Sequence, residues 1–301
     1  MSMRVVVWAA LALLSACQSI APLPPLPAWQ GSEGLSHPEL GLIRDLRSGA
    51  TLTPAQLVEQ LAEAPRVLIG EQHDNADQHA LQLWLLKALQ QRRAQGSVLL
   101  EMLNPEQQAK VDAAQAASLA RQMPVDLPAA LAWQVNWDWS LYAPIVRYAL
   151  LQPAPLLAAN LDRDEIMSIY KAQPPLPAGQ ATQAKVQAAL LAQIESSHCG
   201  LLPAAQLPAM LAVQQQRDRR MAERLLAAPT PALLLAGAFH VRRDLGVPLH
   251  LQDLAPQAQS VVLILAQVGQ TVSAERADLV WYTPAMPAQD YCAGMRKAPR
   301  R

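Results

Sequence analysis

Six short apolar runs, set far apart along the chain, constrain its fold more than any other feature: 66–70, 97–102, 155–160, 232–237, 260–265 and 277–282. Each is too short for a helix, and none alternates strictly, which is the pattern of strands buried on both faces. Between the first two, Leu81, Trp84, Leu85, Ala88 and Leu89 recur at helical spacing, with Gln82, Lys87, Gln90 and Arg92 off that stripe. Strand, helix and strand at this spacing form a right-handed crossover and predict a parallel sheet. Upstream, Thr53-Pro54-Ala55-Gln56 has the residues of a capping box with proline at the first helical position, opening a helix to about Ala64. The interval 161–231 carries no strand pattern. It is rich in Ala, Gln and Leu, and it predicts helices near 162–171, 180–197 and 207–226, punctuated by Pro174, Pro175, Pro177 and Pro203. The expected fold class is therefore α/β: a mostly parallel sheet flanked by helices, with an inserted helical subdomain at 161–231 dividing the core into 41–160 and 232–292.

The two ends read differently. Met1 to Arg4 carries one positive charge, Val5 to Leu14 is wholly apolar, and Ser15-Ala16-Cys17 follows. That is the layout of a secretory signal over residues 1–16, too short to remain as a spanning helix. Leu14-Ser15-Ala16-Cys17 resembles the bacterial lipobox, so Cys17 is expected to carry lipid and become the first residue of the mature chain. Gln18 lacks the acidic character of an inner-membrane retention signal, which points to the outer membrane. Residues 17–40, with Pro22, Pro24, Pro25, Pro27 and Pro38, read as a tether, and 293–301 as a basic tail. Export leaves Cys199 and Cys292 in an oxidising compartment, and they are expected to pair.

Charge excludes one class of partner. With 24 Lys+Arg against 24 Asp+Glu, there is no basic field to track a phosphate backbone, so no nucleic-acid partner is expected. Hydrophobic residues make up 51% of the chain, which also excludes intrinsic disorder.

Two histidines share one context. The run at 66–70 continues Gly70-Glu71-Gln72-His73, and that at 232–237 continues Gly237-Ala238-Phe239-His240. In an open parallel sheet, ligands collect beyond the carboxyl ends of the strands. Extended backbone places Glu71 and His73 on one side, and Glu101 reaches the same edge from the second run. Two imidazoles and two carboxylates could form an acid–base or metal site, or simply cap the strand ends. Arg242 and Arg243 follow closely and could meet an anionic group. By contrast His37 and His79 read as ordinary surface residues.

Aromatics are scarce, 4% of the chain, yet Trp133, Trp137, Trp139, Tyr142 and Tyr148 crowd into one stretch. Flat walls with a phenol suit a planar apolar ligand, and a tyrosine can ligate ferric haem iron. The same residues could also fill volume at a subdomain hinge.

Taken in order, Gly70-Glu71-Gln72-His73-Asp74-Asn75, Leu100-Glu101-Met102, Trp137-Asp138-Trp139 with Tyr142-Ala143-Pro144, Ala159-Asn160-Leu161, and Gly237 through Pro248 resemble the ChaN family of haem-binding uptake lipoproteins. That family is grouped with the Tiki, TraB and erythromycin-esterase-like proteins. The resemblance spans roughly residues 40 to 292. It implies haem as the bound ligand; the motif places no haem-ligating tyrosine, so Tyr142, Tyr148, Tyr170, His73, His240, Trp137 and Arg243 are candidate contacts on their chemistry alone. It also implies a role at the bacterial surface or facing the periplasm, with a haem receptor or permease as onward partner; an exposed haem face is apolar and would favour pairing into a homodimer. Paired Gly-x-x-His motifs in the Tiki branch imply an alternative, a metal-dependent hydrolase. There His73, His240 and Glu71 would hold a divalent metal, and Glu71, His73, Glu101 and His240 would be catalytic.

Overall fold

The computed structural model describes residues 22–287 and 289–297. The leader, Cys17 and the last residues of the basic tail lie outside the described residues.

In chain order the strands are β1 (Ile43–Asp45), β2 (Thr51–Leu52), β3 (Arg66–Glu71), β4 (Ser97–Leu100), β5 (Leu156–Ala158), β6 (Ala232–Gly237), β7 (Val261–Gln267) and β8 (Leu279–Thr283). The helices are α1 (Pro54–Glu63), α2 (Ala76–Gln90), α3 (Gln108–Leu119), α4 (Leu127–Ala130), α5 (Trp139–Leu150), α6 (Arg163–Ala172), α7 (Ala184–Ser197), α8 (Leu207–Ala227), α9 (Ala238–Val241), α10 (Val247–Leu254) and α11 (Tyr291–Lys297). The strands form one sheet in the order β2-β1-β8-β7-β3-β6-β4-β5. Every pairing from β8 to β5 is parallel. Only the β1–β2 hairpin, added antiparallel at one edge, departs from this.

The six apolar runs are β3 to β8, and their lack of alternation has the expected cause. Val67 and Ile69 face one core with α1, α2 and α5, while Leu68 faces the other with α8 and α10. Leu99 and Leu234 likewise join the second core, their neighbours Leu100 and Leu235 the first. Helix α8 lays Met221 and Leu225 on the sheet. The helical insert thus supplies one of the two layers that cover the strands. Its remainder makes a small cluster of its own, Val186 and Leu190 against Leu245 and Leu249.

The proline-rich segment departs from its reading as a free tether. From residue 22 onward it lies against the body: Trp84 Nε1 donates to the Pro24 carbonyl at 2.9 Å, and the Gln30 and Gly31 amides donate to the Asp77 carboxylate at 2.7 and 2.8 Å. Proline content signals an extended backbone. It does not report that Leu23 and Trp29, spaced along that backbone, find apolar surface on the first core. At the other end Cys199 and Cys292 are disulfide-bonded, joining the turn after α7 to α11 across a separation of 93 residues.

Candidate functional site

Three parallel strands deliver the site to one edge. Register pairs Glu71 of β3 with Gly237 of β6, and Leu100 of β4 with Leu235 of β6, so Glu71, Glu101 and Gly237 emerge side by side. Each strand then turns under local control. After β3, Asn75 caps α2 by accepting from the Gln78 amide at 3.1 Å, and Gln78 Oε1 in turn accepts from the Gln72 amide at 2.6 Å. After β4, Asn160 Nδ2 donates to the Glu101 carbonyl at 2.9 Å. Those bonds account for the Asp74-Asn75 and Ala159-Asn160-Leu161 parts of the sequence pattern: they fix the loops that carry His73 and Glu101.

Two histidine–carboxylate units result. In the first, His73 Nδ1–H donates to Glu71 Oε1 at 2.7 Å, and the Tyr142 hydroxyl donates to the same oxygen at 3.2 Å. Glu71 Oε2 is buried without a partner among the described residues. Burial disfavours charge on His73, but the Glu71 carboxylate, with Glu101 behind it, outweighs that and raises its pKa. Burial, then the neighbouring Glu71 and Glu101 charges, push the Tyr142 phenol far up, so it remains a neutral donor. The His73 side chain is 43% exposed, and its Nε2 has no hydrogen-bond partner among the described residues. That edge of the ring packs against Gly237, where an added Cβ would lie 2.9 Å from Nε2, so the missing side chain is what lets the imidazole sit there.

In the second unit His240 is fully committed. Its Nδ1 meets Asp218 Oδ1 at 2.5 Å, and its Nε2 meets Glu101 Oε1 at 3.2 Å. The Gly237 amide donates to Glu101 Oε2 at 2.8 Å, and Gln214 on α8 flanks His240 Nδ1 at 3.1 Å. Burial opposes charge on this imidazole, yet the two carboxylates push its pKa up to about 10. Burial also opposes charge on Glu101, but His240 and then His73 hold its carboxyl far below the usual range.

These shifts set a pH dependence. His240 binds its proton more tightly folded than unfolded, so the stability it contributes is complete below its ordinary value of 6.5 and is lost as pH rises through about 10. Glu101 acts at the other end: its contribution is present above 4.5 and is lost as pH falls toward its folded value. Denaturant midpoints should therefore fall as pH is raised from about 6.5 to about 10, and His240→Gln should flatten that slope. A slope unchanged by the substitution would contradict the assignment.

The aromatic segment belongs to the same site. Asp138 caps α5 by accepting from the Ser140 amide at 2.9 Å, and Trp133 Nε1 donates to the Trp137 carbonyl at 2.9 Å. This places Trp137 edge-on to His73, with ring centroids 4.9 Å apart, and 6.0 Å from Tyr142. His79, expected on the surface, is buried on α2: its Nε2–H donates to the His73 carbonyl at 3.0 Å, and its ring meets Tyr142 at 4.5 Å. The helical period placed it on a helix, but α5 covers that face. Asp218 and Gln214 were not singled out from sequence. Their signal was there: polar residues four apart on the stripe of α8 that turns inward.

Other expected residues fall elsewhere. Tyr148 is half-buried on α5, six residues and about 9 Å along the helix from Tyr142, with Lys87 Nζ 5.7 Å from its ring centroid. Tyr170 is half-buried on α6, outside the cluster's hydrogen bonds. Arg243 lies at the opposite, amino-terminal edge of the sheet, on Asp278 just before β8, because α9 carries the chain back across the β3 face. The metal reading finds no support in the geometry, where both ring nitrogens of His240 are spent on carboxylates rather than turned toward His73 and Glu71. Among the described residues no group of three or more His, Cys, Asp or Glu side chains is placed to hold a metal ion.

A family model described as haem-binding uptake, Tiki superfamily, ChaN matches residues 57–251. ChaN of Campylobacter jejuni, described as binding heme cofacially, superposes with a TM-score of 0.72 and 30% identity, covering 80% of this chain and 95% of that one. An erythromycin esterase mutant in its open conformation gives a TM-score of 0.42 at 14% identity, covering 88% of this chain and 85% of that one. A toxin effector domain from Vibrio vulnificus gives 0.42 at 14%, covering 80% of this chain and 39% of that one. These two likenesses are too loose to carry any residue across. No curated protein matches the chain. With the family model covering the core from α1 to α10, and a ChaN structure matched over nearly its whole length, the chain belongs to the ChaN haem-binding uptake family of the Tiki superfamily.

Proposed function

We propose that this protein binds haem at the carboxyl edge of its sheet and serves haem uptake as a lipid-anchored, periplasm-facing protein of the outer membrane. The observation that carries the reading is His73: an accessible imidazole with one nitrogen held by a buried carboxylate and the other unspent. A histidine that donates its far N–H to a carboxylate is oriented and made more basic toward iron. Of the other candidates, Tyr142 is committed to Glu71, and His240 to Glu101 and Asp218. The donor set therefore fits haem through His73, with half-buried Tyr148 and Tyr170 left free for a second contact.

Haem brings a ferric iron that needs an axial donor and a broad apolar face that must leave water. Glu71 would keep the His73 lone pair turned outward, Tyr142 and His79 would hold Glu71 and the His73 loop in place, and Trp137 would shield one side. Phe239, 55% exposed, adds apolar surface close to the Gly237 turn. Exposed apolar surface of this kind favours closure by a second copy, so a homodimer is part of the proposal. A haem receptor or permease would pass the ligand on. The anchor is Cys17.

Equilibrium dialysis of the mature chain against hemin should show saturable uptake; purely linear uptake would overturn the binding. Cys17→Ala should move the protein from the membrane fraction to the soluble one, and unchanged fractionation would overturn the anchor.

A further inference from the structure

The opposite edge of the sheet holds a second cavity, unrelated to the His73 cluster. It has a volume of about 400 Å³ and opens among Arg47, Arg243, Pro65, Leu251 and Ser260. That size is within the range of small-molecule sites. Its lining contains two arginines and no acidic side chain.

Both arginines rest on one carboxylate. Arg243 Nη1 donates to Asp278 Oδ2 at 2.9 Å, and Arg47 is ion-paired with Oδ1 of the same residue. The Val262 amide also donates to Oδ2, at 2.8 Å, and the Asp278 side chain is only 7% exposed. Asp278 thus acts as a buried post on which two guanidiniums are aligned, and the trio carries a net positive charge. Each guanidinium commits a single nitrogen, and its remaining N–H groups have no protein partner among the described residues.

The backbone under each arginine is fixed as well. Asp45 Oδ1 accepts from the Arg47 and Ser48 amides at 2.9 and 3.0 Å, and the Arg243 amide donates to the Arg276 carbonyl at 2.9 Å. Aligned donors bind an anion with little further loss of side-chain freedom. Two adjacent forks match the several oxygens of a phosphate better than a single carboxylate group. Pro248, Leu251 and Ala64 offer apolar contact to a short carbon skeleton.

We propose that this cavity binds a small organic phosphate, its phosphoryl oxygens on Arg47 and Arg243 and its carbon portion against α10. The site is independent of haem binding at the other edge.

Calorimetric titration of the mature chain with inorganic phosphate, glycerol 3-phosphate and acetate tests it. Saturable binding of both phosphates is expected, weakening with salt, with acetate far weaker. Arg47→Gln should weaken phosphate binding by on the order of tenfold or more, the worth of one charged hydrogen bond. The Arg47 side chain is 63% exposed, so this variant keeps its fold even where Arg47→Gln/Arg243→Gln does not. No saturable binding of either phosphate, acetate binding as tight as phosphate, or an affinity unchanged in Arg47→Gln would each overturn the proposal.

Discussion

Replacing Asp218 with alanine will destabilise the protein by about 3–5 kcal/mol, the usual cost of leaving a buried charge without its partner. Asp218 is fully buried on α8 and holds His240 at 2.5 Å, while Glu101 holds the other side of the same ring. Truncation removes one of the two anions that keep His240 protonated inside the protein. Asp218→Asn should cost less, because its amide oxygen still accepts the Nδ1–H bond. Urea unfolding at neutral pH followed by circular dichroism measures both. A loss of no more than about 1 kcal/mol for Asp218→Ala, within the range of an exposed ion pair, would mean that the cluster is not a desolvated charge network.

Opening the disulfide should have an effect of similar size. The Cys199–Cys292 link closes a loop of 93 residues, for which the chain-entropy relation gives about 4–5 kcal/mol. Cys199→Ser/Cys292→Ser should show that loss in denaturant midpoints measured against the oxidised protein. The consequence reaches the site as well. Tyr291, next to Cys292, donates a hydrogen bond to Asp74, the residue after His73. Freeing α11 should therefore perturb the His73 ring resonance, whereas a distant surface substitution would not.

The central sheet was legible because burial on both faces leaves a compositional mark. Runs such as 67–70 and 232–237 contain no charged or polar side chain, and their spacing leaves room for crossovers. The β1–β2 hairpin carried no such mark: Thr51–Leu52 is two residues long, and its place is set by pairing with distant β8 through Ile43 and Trp281. In the site, Glu71, His73, Glu101 and His240 were readable because each lies at, or within three residues of, the carboxyl end of an apolar strand. Trp137 and Tyr142 stood out by their crowding, but nothing local said that α5 docks them against His73. Tertiary packing decides such contacts, and it decided against the local reading for His79 and for Arg243. His79 sits on an interhelical face, and Arg243 follows a short helix that reverses the chain across the sheet. Asp218 illustrates the hardest case: one carboxylate in a long helix, significant only because His240 arrives from a strand 22 residues later.

The role given to His73 is tested most directly by the absorption spectrum of ferric haem on the mature wild-type chain beside His73→Ala. A histidine-ligated Soret band that saturates with added hemin in the wild type, and is lost or displaced in His73→Ala while circular dichroism stays unchanged, is the predicted result. An identical, saturable Soret band in both proteins would contradict it and place the iron on another residue.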